Sequence, residues 1–104
     1  MTLDRLEKNA EIVAGNLDEA KRYAAMAHAA KDEQRQEADW YLEMARRHLE
    51  FNNAGLTLVD RMAAEYAQEH AQEGPGVMAM HRFRRAQWAK ETAQIQAMVA
   101  GFGK

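Results

Sequence analysis

The sequence contains no cysteine, which removes disulfides, thiolate zinc sites, iron–sulfur ligation and thiol catalysis together. It has one proline, Pro75 inside "EGPGV", and therefore one unambiguous break. No stretch approaches the about eighteen consecutive apolar residues of a membrane span, and the start "MTLDRLEKNAEIVAGN" carries acids from Asp4 onward where a signal peptide has an apolar core. A cytoplasmic protein without membrane contact is the expectation. β-Branched residues are scarce and no useful window alternates apolar with polar, so strands have nothing to build from.

What is present is helical. Alanine is the commonest residue, and 104 residues leave room for one domain, 1–104, with a modest core. At 47% hydrophobic and 29% charged, the chain is too apolar to stay disordered. Its net charge of −2 hides a gradient. Residues 32–73 carry ten acids and four bases, whereas residues 74–104 carry one acid and five bases. The tail can therefore dock on the acidic middle within one fold, or offer a basic surface to a partner.

Leu3, Leu6, Ala10, Val13, Leu17, Ala20, Ala24 and Ala27 follow one another at spacings of three and four, a heptad seam that predicts a helix over about 3–31 with Thr2 as its N-cap. Its alanine-only second half requires closer approach by a partner helix. "KDEQRQE" is polar throughout and supplies Asp32 as the next cap. A second walk, Ala38, Leu42, Ala45, Leu49, Asn52, Leu56, Val59, Ala63, Tyr66 and His70, keeps its phase across Gly55, which predicts one helix over about 34–72. The alternative is a break near Gly55 and a four-helix bundle. A third helix is expected over about 77–100, with Ala79, Phe83, Ala86, Ala93, Ala97 and Ala100 as one stripe and Trp88, Ile95, Val99 and Phe102 as another.

The fold class is thus all-α, an antiparallel bundle of three long helices. Helix 2 also carries a second apolar stripe, Trp40, Met44, Phe51 and Leu58, and its expected length exceeds that of its neighbours. Both features point to completion by self-association, with Trp40, Met44, Phe51, Gly55, Leu58 and Trp88 as the interface. Asn52, polar within the seam, is suited to fixing register.

Three chemical readings compete. His70 and His81, with Glu69 and Glu73 beside them, fall where the Gly74–Gly76 turn brings two helix ends together, and two imidazoles and a carboxylate suit a zinc or iron site. The Glu-x-x-His pair of ferritin-like bundles is missing, however, because Ala25, Ala45, Ala67 and Met78 precede the four histidines by three. Nor does "HLEFNNAG" carry the His-x-Leu-Lys-Gly of phosphotransfer bundles, since Glu50, Phe51 and Asn52 stand in place of Leu, Lys and Gly. Arg82, Arg84, Arg85 and Lys90 interleave with Phe83 and Trp88, as in nucleic-acid surfaces. Acids of helix 2 such as Glu65, Glu69 and Glu73 are available to neutralise them, and the negative chain disfavours a nucleic-acid partner. No nucleophile–base pair, phosphate loop or paired-His motif is legible. A non-enzymatic interaction or adaptor protein working as a homo-oligomer, without a cofactor and with room for a further protein partner, is the leading expectation.

Overall fold

The Thr2 hydroxyl accepts a hydrogen bond from the Arg5 amide at 3.2 Å and so opens the first helix by satisfying one of its orphan donors. The computed structural model describes residues 1–102, which form α1 (Leu3–Ala30), α2 (Arg35–Glu69) and α3 (Gly74–Ala100). No strand occurs among the described residues. The three helices run up, down and up in an all-α bundle measuring 56 × 18 × 15 Å.

The two seams meet as their spacing requires. Leu6, Ala10, Val13, Leu17, Ala20, Ala24 and Ala27 of α1 are buried, together with Ala38, Leu42, Ala45, Asn52, Val59, Ala63 and Tyr66 of α2. Helix α2 passes through Gly55 without a break, which excludes the four-helix alternative. A Cβ at Gly55 would lie 3.2 Å from Val13 Cγ2, so the missing side chain lets α1 come close. That approach offsets the roughly 1 kcal/mol an interior glycine costs relative to alanine.

The ends differ from expectation. Asp32 lies in the turn, and the N-cap of α2 is Gln34, which makes no side-chain capping bond. Helix α2 stops at Glu69, before 72, and α3 begins at Gly74, before 77, with Pro75 in its first turn. Proline there has no amide bond to lose, and its fixed φ suits helix entry. Gly74 is buried against α2, and a Cβ there would stand 2.7 Å from the Ala67 carbonyl oxygen. The helices therefore hold 28, 35 and 27 residues, so the length mismatch is smaller than expected while α2 remains the longest.

Helix α3 also turns the other face inward. Trp88 and Ile95 are buried, while Ala79, Phe83, Ala86, Ala93, Ala97 and Ala100 face solvent, Phe83 with 67% exposure. Besides these two apolar residues only Gly74 and His81 of α3 are buried. Polar clamps supply the remainder of the docking. Arg84 donates from both terminal nitrogens to the Glu7 carboxylate of α1, with Nη1 to Oε1 at 3.0 Å. Arg85 donates to both oxygens of Asp60 on α2 at 2.9 and 3.2 Å, and His81 Nε2 lies 2.7 Å from the same carboxylate. At the far end, His28 Nε2 lies 2.7 Å from the Met98 carbonyl oxygen.

Candidate interaction surface

At 3.6 residues per turn, the α2 residues that meet α3 and those that meet α1 fix which side of the helix is left over. Asp60 reaches α3, whereas Asn52 and Gly55 face Asn16 and Val13 of α1. The remaining face of α2 carries Trp40, Met44, Phe51 and Leu58, with Phe51 70% exposed and only Met44 half-buried. On α1, the same construction places Lys8, Ile12, Gly15, Glu19 and Met26 beside that stripe, and Ile12 is 58% exposed. The result is an exposed apolar stripe on α2, on the side of the α1/α2 pair opposite α3, flanked on α1 by Ile12 and Met26 between charged residues.

Aromatic contacts stiffen its upper end. Tyr23 stands edge-on to Trp40, with centroids 6.0 Å apart, and stacks on His48 at 5.5 Å and on Tyr41 at 6.3 Å. Arg22 lies over the Tyr23 ring at 5.8 Å. The Tyr23 ring fills the centre of the group, so the cluster presents a surface rather than an open cage. Gly15 lies beside Ile12 near the middle of the face, and nothing stands within 4 Å of where its Cβ would be.

Asn52 sits directly beneath this face at 1% exposure. Its Oδ1 accepts a bond from Asn16 Nδ2 at 3.2 Å, while its own Nδ2 has no partner. Thr92 Oγ1 of α3 is likewise buried without a partner.

Other residues singled out in the sequence take separate places. Trp88, expected at an interface, is 6% exposed inside the core of its own chain, and Gly55 is used against Val13. His70 and His81 do not converge. His70 Nε2 approaches the Met1 carbonyl oxygen at 3.4 Å and its ring stacks on Tyr66, while His81 engages Asp60. Glu69 pairs with the Met1 ammonium at 3.1 Å, and Glu73 accepts the Tyr66 hydroxyl. No group of three or more His, Asp or Glu side chains able to hold a metal occurs among the described residues. Of the three arginines, Arg84 and Arg85 are neutralised by Glu7 and Asp60, not by the helix 2 acids Glu65, Glu69 or Glu73, and Arg82 alone is exposed.

These pairings set the ionisation. Burial pushes the Asp60 carboxyl up, but the bonds from Arg85 and His81 outweigh it and leave the group below the ordinary carboxylate range. The Glu7 bond holds the Arg84 guanidinium more firmly protonated, and the Glu73 bond raises the Tyr66 phenol. A cleft of about 410 Å³ opens between the first turns of α1 and α3, lined chiefly by Leu3, Leu6, Val77 and Met80, with Glu7, His81 and Arg84 at its edge. The polar groups that line it are each paired, Glu7 with Arg84, His81 with Asp60 and Glu73 with Tyr66.

Sequence reasoning overlooked Ile12 and Gly15. Ile12 is an off-seam apolar residue of α1, as Met26 is, and an exposed isoleucine amid charged neighbours is the pattern that distinguishes it. No helix of the described residues is long and apolar enough to cross a membrane. Comparison with protein-family models, with curated proteins and with solved structures returns no match for this chain.

Proposed function

We propose that this chain is a non-enzymatic helical interaction module that works as a homo-oligomer, pairing through the α1/α2 face opposite α3. One observation carries the proposal: Phe51, Leu58, Trp40 and Ile12 are all exposed, on the side of the α1/α2 pair that α3 leaves uncovered. Scattered exposed apolar residues are ordinary, but a contiguous patch of this kind marks an interaction site. Within the chain, α3 covers the other side of the same helix pair, so the uncovered side is where a further layer fits. A second α1/α2 pair placed there would complete a four-helix core, and the module's adaptor role would then rest on the outward faces of α3 and of the acidic middle.

Sedimentation of the purified chain across the micromolar range tests this. The expected result is a concentration-dependent dimer that Phe51→Glu shifts to monomer while the helical content is unchanged. A wild-type chain that remains monomeric at the highest concentration overturns the proposal.

A further inference from the structure

We infer that the cleft between the first turns of α1 and α3 binds a small uncharged phenol of two or three rings, its hydroxyl bonded to Nδ1 of His81. The site lies apart from the α1/α2 face proposed above for self-association and does not depend on it.

His81 supplies the polar anchor. It lines the cleft and is only 8% exposed. Its Nε2 lies 2.7 Å from Asp60 Oδ1. Arg85 donates to both oxygens of that carboxylate, and an ionised carboxylate only accepts. Nε2 therefore carries the hydrogen, which leaves Nδ1 of the neutral ring as an acceptor. No bond to Nδ1 occurs among the described residues. Nor is Nδ1 sealed in the core, where the side-chain polar atoms buried without a partner are Asn52 Nδ2 and Thr92 Oγ1. The remaining accessible direction for this nitrogen is the cleft that its ring lines.

The walls select what meets that nitrogen. Leu3, Leu6, Val77 and Met80 make them apolar, and Leu3 and Met80 remain 44% and 52% exposed for a ligand to cover. The volume of about 410 Å³ falls within the range of about 300–1,000 Å³ usual for small-molecule sites. It is more than twice the roughly 150 Å³ of a cavity that takes up benzene, so a body of two or three rings fills it better than one. Flat rings also suit the Met80 thioether, which packs favourably on aromatic edges. Charge is disfavoured, because Glu7 and Arg84 already satisfy each other through two bonds and an ion entering the recess loses its hydration. Glu73 takes the Tyr66 hydroxyl and stays exposed at the rim. A wholly apolar ligand would cover Nδ1 and leave it unpaired, whereas one hydroxyl donor satisfies it.

Titration of the purified chain with 2-naphthol, naphthalene, 2-naphthoate and 2-naphthylmethylammonium tests the site, followed by calorimetry and by the side-chain resonances of nitrogen-15-labelled histidine. The expected result is that 2-naphthol binds and shifts the Nδ1 resonance of His81 while the hydrogen stays on Nε2. Naphthalene is expected to bind about tenfold more weakly, and both charged analogues more weakly than 2-naphthol. Met80→Glu, at an exposed position, is expected to weaken 2-naphthol binding at least about tenfold with helical content unchanged. Phe51→Glu, on the face away from α3, is expected to leave it unchanged. Absence of 2-naphthol binding up to roughly 1 mM overturns the inference. So does equal affinity for naphthalene, tighter binding of either charged analogue, or indifference to Met80→Glu. A chain that remains monomeric in sedimentation overturns the self-association proposal alone.

Discussion

Replacing Asn52 by leucine is expected to stabilise the fold, although it removes a buried hydrogen bond. Asn52 is 1% exposed, its Nδ2 has no partner, and its Oδ1 accepts only the Asn16 amide at 3.2 Å. A buried donor left unsatisfied costs about 1–3 kcal/mol, while an ordinary neutral hydrogen bond contributes about 0.5–1.5 kcal/mol net. The two nearly cancel, with the balance against asparagine. Leucine keeps the branching and heavy-atom count of asparagine but is bulkier, so the burial of an apolar side chain worth about 1.5–3 kcal/mol relative to exposure is reduced by the packing strain it introduces. Asn16 is only half-buried, so its freed amide can turn to water. A net gain of about 2 kcal/mol corresponds to a rise in Tm of roughly 8–16 °C for a chain of this size. Denaturation followed by circular dichroism, on protein dilute enough to be monomeric, measures it. A loss of stability in Asn52→Leu would refute the reasoning, because Asn52 Nδ2 would then have a partner, such as a buried water, that outweighs apolar burial. The same variant is expected to broaden the amide spectrum, since a polar residue within a seam fixes register at a cost in stability.

Two further outcomes follow from the α3 side of the bundle. Asp60→Asn is expected to lower stability by about 1–2 kcal/mol, after allowing for the carboxylate's partial exposure. It should also flatten the acid limb of the stability curve. Because the folded Asp60 binds its proton less readily than the unfolded group, whose ordinary pKa is 3.8, its contribution is present above that value and is lost as the pH falls through the lower folded pKa. An acid limb equal to that of the wild type would show that the Arg85 and His81 bonds do not contribute. Gly74→Ala is expected to cost about 2 kcal/mol or more, because a Cβ placed 2.7 Å from the Ala67 carbonyl oxygen forces α3 away from α2. The measurement is Trp88 fluorescence across a urea titration.

The helices were legible where spacing alone decides. The seams of α1 and α2 are local patterns, and the uninterrupted phase through Leu49, Asn52, Leu56 and Val59 correctly predicts continuity past Gly55. Helix α3 was not legible in the same way. Its alanines form a stripe as regular as the one that docks, and alanine is small enough to sit on either face without penalty. What settles its rotation is the set of partners for His81, Arg84 and Arg85, which are Asp60 and Glu7, 21 to 77 residues away in sequence. No local pattern encodes a pairing across that separation. Histidines grouped by the Gly74 turn likewise look like a ligand pair in sequence, yet the axial rise of α3 carries His81 away from His70 and toward Asp60.

The polar docking of α3 has a consequence for how the molecule opens. Apolar packing tolerates sliding, because one methyl group serves nearly as well as another, whereas a guanidinium set on two carboxylate oxygens is satisfied at a single height. Helix α3 is therefore keyed to one position on the α1/α2 pair. Because only Trp88 and Ile95 of its large apolar side chains are buried, its departure is expected to be a partial unfolding with a shallower denaturant dependence than the global transition of the α1/α2 hairpin. In hydrogen exchange the amides of α3 should form a distinct, salt-sensitive class that exchanges while α1 and α2 remain closed.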